Sequence, residues 1–266
     1  MTKSLAHRGP DDSGMKVFAD GRVALGHTRL SILDLSPRGH QPMCDRQRRL
    51  WITYNGEIYN FREVRKHLRA RGHRFTSNTD TEVVLYSYKE WGSDCLSRFN
   101  GMFAFAIWDD EKKLLFLARD RIGIKPLYYF HKNDLLIFAS EIKAILRSGF
   151  VQRNIDYDAL HTPSMYQAAP YTGFKEVYKL QPGNYLAFDG NRLAIQKYWQ
   201  IDSSEAEMGE EGAVDELEHL LRLSVNGQMI SDVPVGAFLS GGLDSSLVVA
   251  LMSKNASQRV STFTIK

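Results

Sequence analysis

From residue 15 to about 150, apolar positions come in short runs: MKVFA, VALGHTRLSI, LWITYN, FAFAIWD, LLFLARD, LYYF and LLIFAS. Their length and their β-branched and aromatic content predict strands. Compact polar segments, Asp109 to Lys113 and Lys132 to Asp134, separate several of them and suit hairpins, so this half predicts antiparallel sheet. Three stretches switch to helical spacing: Phe61 to Arg71, Thr81 to Trp91, and a short one from Ser140 or Glu141 to Arg147. Gly72, Gly92 and Gly149 close them, each suited to the left-handed residue that ends a helix. A last hairpin, YLAFDGNRLAIQKYW, turns at Asp189-Gly190-Asn191.

The pattern then changes. Residues 202 to 212, DSSEAEMGEEG, are almost free of apolar side chains and predict a linker. Val214, Leu217, Leu221 and Val225 form one helical stripe, with Asp215, Glu216 and Glu218 early in the helix, where its dipole favours acids. An apolar run Val233 to Leu239, a glycine-rich turn, a helix Leu243 to Met252 and a strand Val260 to Ile265 follow. Strand, loop, helix, strand is the start of a parallel α/β sheet. The expected organisation is an α+β domain over 1–200, a linker over 201–212, and the opening of a second, α/β domain over 213–266.

Composition adds limits. A chain of 266 residues that is 43% hydrophobic supports buried cores, and a net charge of +3 is too mild to indicate nucleic acid or a membrane surface. The densest basic stretch, Arg62 to Arg74, spaces Phe61, Val64 and Leu68 helically, so its cations read as the solvated face of an amphipathic helix. Cys44 and Cys95 have no CxxC or histidine spacing for zinc, and no apolar stretch spans a bilayer or forms a signal core. The expectation is a reduced, cytoplasmic protein without nucleic-acid or membrane partners.

The chemistry concentrates in two places. Ser240-Gly241-Gly242-Leu243-Asp244-Ser245-Ser246 follows an apolar strand and opens a helix. Glycines there let backbone N–H groups approach an anion, and the helix directs its positive end at the same point. The lysine of GxxxxGK[ST] and the spacing of GxGxxG are both missing. A glycine pair alone reads equally as a helix start with a serine cap. The full heptad resembles the SGGxDSS loop of ATP pyrophosphatases, which adenylate a carboxyl or carbonyl group and release pyrophosphate. That resemblance implies an ATP site at Leu239, Ser240, Gly241, Gly242, Asp244, Ser245, Ser246 and Ile265, with Asp244 on Mg²⁺.

The first half carries His7-Arg8-Gly9-Pro10-Asp11-Asp12, Arg29-Leu30-Ser31-Ile32-Leu33-Asp34, Tyr54-Asn55-Gly56-Glu57-Ile58-Tyr59-Asn60, Thr79-Asp80-Thr81-Glu82, Gly101-Met102-Phe103-Ala104-Phe105 and the run Arg119 to Tyr129. In this order these motifs resemble the class II glutamine amidotransferase domain of the glutamine-hydrolysing asparagine synthetase family. The resemblance implies an N-terminal-nucleophile-hydrolase-type αββα sandwich followed by a parallel α/β ATP-pyrophosphatase domain, similar to adenine nucleotide α-hydrolases. It implies glutamine, ATP and aspartate or another carboxylate as partners, and it allows a homodimer. Glutamine presents a carboxylate, an ammonium and an amide, which call for a fixed cation, a fixed anion and donors aimed at the amide oxygen. By the resemblance, Arg29 grips the carboxylate, Asp80 the ammonium, and the Asn55 amide with the Gly56 N–H forms the oxyanion hole. Leu30, Ile32 and Glu57 line the same pocket. Singly, Arg29 reads as a strand-surface charge, Asp80 as a helix cap and Asn55-Gly56 as a hairpin turn. The resemblance leaves His7, Arg8 and the run Arg119 to Tyr129 with scaffold or domain-contact roles, and His27 and His40 read as structural.

The family's nucleophile is an N-terminal cysteine assisted by its own α-amine. No such cysteine stands at Met1-Thr2-Lys3-Ser4-Leu5-Ala6, a stretch that looks like the end of the family's first helix. Cys44 and Cys95 are internal, and Thr2 lies in the wrong element, too close to His7. The expectation is a piece of a longer synthetase, shortened at both ends and inactive in both half reactions. The rivals are a sister amidotransferase acting on another carboxylate and a non-catalytic binding or regulatory subunit.

Overall fold

A computed structural model describes residues 1–18, 21–161, 167–204, 208–256 and 259–265. The chain divides into two compact units, Met1–Gln200 and Ile201–Lys266. The first unit holds β1 (Asp12–Val17), β2 (Ala24–Arg29), β3 (Met43–Cys44), β4 (Leu50–Ile58), α1 (Phe61–Ala70), α2 (Asp80–Trp91), β5 (Gly101–Asp109), β6 (Leu114–Arg119), β7 (Tyr128–Lys132) and β8 (Leu135–Ala139). It continues with α3 (Ile142–Leu146), α4 (Tyr157–Leu160), β9 (Val177–Lys179), β10 (Asn184–Phe188) and β11 (Leu193–Lys197).

Six strands form one antiparallel sheet in the order β11-β10-β6-β5-β4-β3, and three form a second in the order β8-β7-β9. Alternation along β5 sorts its side chains. Ala104, Ala106 and Trp108 join Leu117, Leu186 and Phe188 in a core that also takes Tyr129 of β7, so this layer lies between the two sheets. On the opposite face Phe105 and Phe116 stack, and Tyr88 of α2 lies 4.9 Å from Phe116, placing α2 over that face. The second sheet buries Phe130, Ile137 and Ala139 against Ala144 and Ile145 of α3. Helix, sheet, sheet, helix is the αββα layering that the motifs imply.

Helix ends follow local chemistry. Gly72 and Gly92 close α1 and α2 at φ of 89 and 58°, whereas α3 ends earlier than expected, at Leu146 with Arg147 as its cap, and Gly149 takes φ 84° two residues further on. Helix α2 starts at Asp80 because Thr79 caps it, its hydroxyl accepting the Glu82 N–H at 3.2 Å. The Glu82 carboxylate reaches back to the Thr76 and Ser77 N–H groups at 2.9 and 2.7 Å, which fixes residues 76–80. One expectation fails in α1: Arg65 is buried, not solvated. Its guanidinium lies 5.5 Å from the Phe61 ring and 5.0 Å from Phe75 and donates to Thr79 O at 2.6 Å, while its buried Nε has no partner among the described residues and burial lowers its pKa.

The second unit holds α5 (Glu210–Gln228), β12 (Gly236–Phe238), α6 (Leu243–Asn255) and β13 (Ser261–Phe263). Helix α5 begins inside the stretch read as linker, because Glu210 and Glu211 suit a first turn. Of the stretch 205–207 within that linker nothing is described. β12 and β13 pair in parallel across α6. Val225, Leu251 and Met252 form the unit's small core.

Candidate active site

A cavity of about 790 Å³ opens in the first unit, and all seven residues assigned to glutamine by the motifs line it: Arg29, Leu30, Ile32, Asn55, Gly56, Glu57 and Asp80. Separate elements bring them there. Arg29 ends β2, Leu30 and Ile32 follow it, Asn55 to Glu57 lie on β4, and Asp80 opens α2.

Asn55-Gly56 is mid-strand, not a hairpin turn. A Cβ on Gly56 would lie 2.3 Å from Met102 O and 2.8 Å from Phe103 Cα, so only glycine lets β4 and β5 approach. The register then decides where its N–H points. Alternate residues of an antiparallel strand bond to one neighbour, and those between face the other edge. Tyr59 N–H donates to Asn100 O at 2.7 Å and Asp110 N–H to Arg49 O at 2.8 Å, so odd positions of β4 face β5. Even positions face the other edge, which β3 covers only opposite Trp51 and Ile52. Beyond it, Tyr54 N–H donates to Gln41 Oε1 at 2.7 Å and Ile58 N–H to Asp80 Oδ2 at 2.9 Å. Gly56 lies between them, with its N–H directed off the same edge and no acceptor for it among the described residues. The half-buried Asn55 amide also has no partner among the described residues. Two unused N–H donors of consecutive residues therefore belong to one cavity, a pairing suited to a carbonyl oxygen that gains charge.

The charged groups flank those donors. Asp80 is buried and is not the cap of α2; its Oδ2 accepts the Tyr54 hydroxyl at 2.6 Å besides the Ile58 N–H. Burial raises its pKa, against the hydrogen bonds from Tyr54 and Ile58. Burial also raises Glu57, with help from the Asp80 charge and against Lys125. Arg29 is buried as well, so its reading as a surface charge is wrong. Its Nη1 donates to Ser36 O at 3.2 Å, and its Nη2 to Leu33 O at 3.1 Å and Asp34 O at 2.6 Å. Gly39 makes room for it: a Cβ there would lie 1.9 Å from Nη2.

The sequence reading missed Gln41, Tyr54, His27 and Lys125, which also line the cavity. Gln41 and Tyr54 carry no signal beyond their places next to Pro42 and Asn55. Lys125 belongs to a run given a scaffold role. Arg119 does have one, donating to the carbonyls of Gly123, Lys125 and Leu180 at 2.7–2.8 Å. Burial lowers the Lys125 pKa, opposed by Glu57. His27 is held neutral, its pKa lowered to about 4 by burial and then by Arg29. Met1 and Thr2 reach the cavity, while Cys44 and Cys95 do not line it, and burial raises both thiols. His7 and Arg8 donate to Glu141 at 2.9 and 3.2 Å, tying the 3-10 turn Thr2–Arg8 to the segment before α3.

In the second unit Ser240 to Gly242 form an exposed bend between β12 and α6, and Leu243 to Ser246 make the first turn of α6, with Ser245 half-buried. Gly241 adopts φ 84°, and Ser240 and Ser245 hydroxyls approach to 3.0 Å. No side chain caps α6, so the first N–H groups of the helix remain open beside Asp244. Leu239 N–H continues the parallel pairing to Phe263 O at 2.9 Å, and Ile265 lies past β13, exposed. Among the described residues, no cluster of three His, Cys, Asp or Glu could hold a metal. A lone carboxylate fits a Mg²⁺ whose remaining ligands arrive on phosphates.

Comparison with known proteins matches both segments of the chain to families. The sequence model of the glutamine amidotransferase domain matches residues 1–199, and that of asparagine synthase matches residues 216–266. Asparagine synthetase (glutamine-hydrolyzing) 3 of Bacillus subtilis is 43% identical over 259 residues, covering 94% of this chain and 41% of that protein. Asparagine synthetase (glutamine-hydrolyzing) 1 of the same organism is 38% identical, covering 100% and 42%. Amidase chry2 of Gibberella zeae is 39% identical, covering 94% and 37%. The chain thus spans about two fifths of the length of these relatives. Among solved structures, glutamine phosphoribosylpyrophosphate amidotransferase from Bacillus subtilis, complexed with ADP and GMP, has a TM-score of 0.56 at 17% identity, covering 98% of this chain and 61% of that one. An allosteric regulatory enzyme of purine biosynthesis has a TM-score of 0.50 at 19% identity, covering 91% and 50%. These two likenesses are of fold. No helix among the described residues is long and apolar enough to cross a membrane.

Proposed function

Because the chain belongs to the glutamine amidotransferase domain family, and with its asparagine synthase segment to the glutamine-hydrolysing asparagine synthetases, we propose that its first unit binds glutamine and its second begins an ATP site. The observation that carries this reading is the lone Gly56 N–H. It lies beside the Asn55 amide on an otherwise satisfied strand edge, in a cavity that also holds a buried cation and a buried anion.

Arg29 holds the α-carboxylate, Asp80 the α-ammonium, and Asn55 with Gly56 the amide oxygen. Leu30, Ile32 and Glu57 shape the remaining wall. In the whole protein, glutamine and water give glutamate and ammonia. Aspartate and ATP give aspartyl-AMP and pyrophosphate, and ammonia displaces AMP to leave asparagine. Leu239, Ser240, Gly241, Gly242, Ser245, Ser246 and Ile265 belong to the ATP site, where Asp244 would hold Mg²⁺ together with the phosphates, and the ion would supply charge neutralisation for pyrophosphate. No cysteine thiol of the described residues lines the glutamine cavity, so this chain of 266 residues binds glutamine without hydrolysing it. The unpaired Cys44 and Cys95 support a cytoplasmic setting.

Titration calorimetry with L-glutamine, paired with an ammonia assay, tests this. The expected result is saturable binding with no ammonia release above buffer. Absence of binding, or glutamine turnover at a rate above the blank, overturns it. The amidase relative favours a second reading, in which the ATP-activated acceptor is a carboxylate other than aspartate.

A further inference from the structure

Two irregular segments present the charged groups of the cavity. Residues 30–36 follow β2 and receive the Arg29 guanidinium on their carbonyls; residues 76–80 lead into α2 and end at Asp80. One side chain joins them. Asp34 Oδ2 accepts the N–H of Asn78 at 2.7 Å, 44 residues along the chain. Its Oδ1 accepts the N–H of Ser36 at 3.2 Å and the Ser36 hydroxyl at 2.5 Å. Its own carbonyl accepts Arg29 Nη2 at 2.6 Å. The same residue therefore touches the guanidinium and the backbone two residues before the anion.

The backbone at Asp34 fits this duty. It adopts φ 54°, a left-handed conformation that a residue other than glycine keeps where its surroundings over-determine it. The far side of the tie is itself anchored: Arg65 donates to Thr79 O at 2.6 Å and to Asn78 Oδ1 at 3.4 Å. Just beyond the first segment Arg38 Nη1 also reaches Thr76 O, but at 3.5 Å, so the 2.7 Å bond from Asn78 N–H to Asp34 is the tighter link between them.

We propose that Asp34 is a positioning residue that sets the separation of Arg29 and Asp80, so that the pocket selects ligands carrying an α-carboxylate and an α-ammonium together. The inference rests on the glutamine reading of the cavity. A zwitterion has a fixed distance between its charges, so a cation and an anion held at that distance gain from both ends at once. A ligand with the carboxylate alone gains little from the fixed spacing.

The test uses the whole 266-residue chain and two variants, Asp34→Ala and Asp34→Asn. Calorimetry compares L-glutamine with glutaramate, which is glutamine without its α-amine, and hydrogen exchange follows the amides of residues 30–36 and 76–80. Loss of one charge-assisted tie predicts about tenfold weaker glutamine binding in Asp34→Ala, with glutaramate weakened less than about threefold. The preference for glutamine collapses, and exchange at residues 76–80 rises. Asp34→Asn, which keeps one acceptor oxygen and tolerates the left-handed backbone, lies between. An unchanged preference in Asp34→Ala overturns the proposal. So does an equal loss for both ligands that follows the loss of thermal stability, because that is a structural role only. If the unaltered chain binds no glutamine, the glutamine reading falls and the selectivity claim with it. Exchange at residues 76–80 still decides whether Asp34 ties the segments: faster exchange in Asp34→Ala supports the tie and unchanged exchange refutes it.

Discussion

Replacing Asp80 by asparagine should make the empty protein more stable and the glutamine pocket worse. Both Tyr54 O–H and Ile58 N–H reach the same carboxylate oxygen, Oδ2, at 2.6 and 2.9 Å, so an amide oxygen in that place keeps both bonds. The N–H groups of Asp80 and Thr81 also face the carboxylate and lose by the exchange. The larger change is the charge, which sits on a side chain only 4% exposed. Burial lifts the Asp80 pKa above 3.8 in the folded protein. An acid raised in this way favours the folded state at low pH, and that contribution is lost as pH rises through the folded pKa. Between the unfolded and folded values the slope approaches about 1.4 kcal/mol per pH unit. Asp80→Asn should therefore be more stable than the wild type at pH 7, with the gap closing as pH falls toward 4. Glutamine binding should fall by about 2 kcal/mol or more, roughly thirtyfold, because the ammonium loses its partner. Urea unfolding read by tryptophan fluorescence is the assay. Trp51, Trp91, Trp108 and Trp199, the 4 tryptophans of the chain, all lie in the first unit, so the signal reports that unit alone. A stability difference that does not vary with pH, or an intact glutamine affinity, would refute the reasoning.

Three further changes probe the rest of the molecule. Gly39→Ala places a Cβ 1.9 Å from Arg29 Nη2 and 2.2 Å from Cζ, so the guanidinium must leave its carbonyls. Glutamine affinity should drop at least about tenfold, and a calorimetric titration that matches wild type would count against the Arg29 role. Gly241→Ala meets no atom within 4 Å, so only its φ of 84° opposes it; about 1 kcal/mol of backbone strain should appear as faster amide exchange from Ser246 onward, where the helical bonds of α6 begin, and unchanged exchange would remove the case for strain. Glu141 is raised by burial, but hydrogen bonds from Lys143, His7 and Arg8 outweigh this and hold its pKa at about 2. Its contribution is present above the ordinary 4.5 and disappears as pH falls through about 2. Glu141→Gln should therefore flatten the acid limb of the stability curve in that window, and superimposable acid limbs would contradict the cluster's role.

What could be read from the chain was what local spacing controls. The hairpins and the ends of α1 and α2 follow from alternation and from glycines whose positive φ no other residue takes easily. The failures share one cause, a partner distant in sequence. Arg65 looks solvated in a basic stretch because nothing local indicates that Phe75 folds back to stack on it. Asn55-Gly56 carries a strong short turn signal, yet it lies inside β4, where the backbone of Met102 and Phe103 comes so close to Gly56 that no side chain would fit. Motifs identified Arg29 and Asp80, but Gln41 occupies its edge position only because β3 stops short of residue 54, which is a fact of sheet register.

The covered edge of β4 has a consequence for selectivity at the level of the main chain. An open strand border ordinarily invites another extended polypeptide, which docks by a ladder of repeated bonds and has little preference for one side chain over the next. Here the rungs on either side of Gly56 are already plugged, one by an amide and the other by a carboxylate. A visiting peptide finds one rung where it needs several, whereas a single carbonyl needs no more than that. The two plugs thus convert a surface prone to indiscriminate pairing into a socket for one oxygen atom.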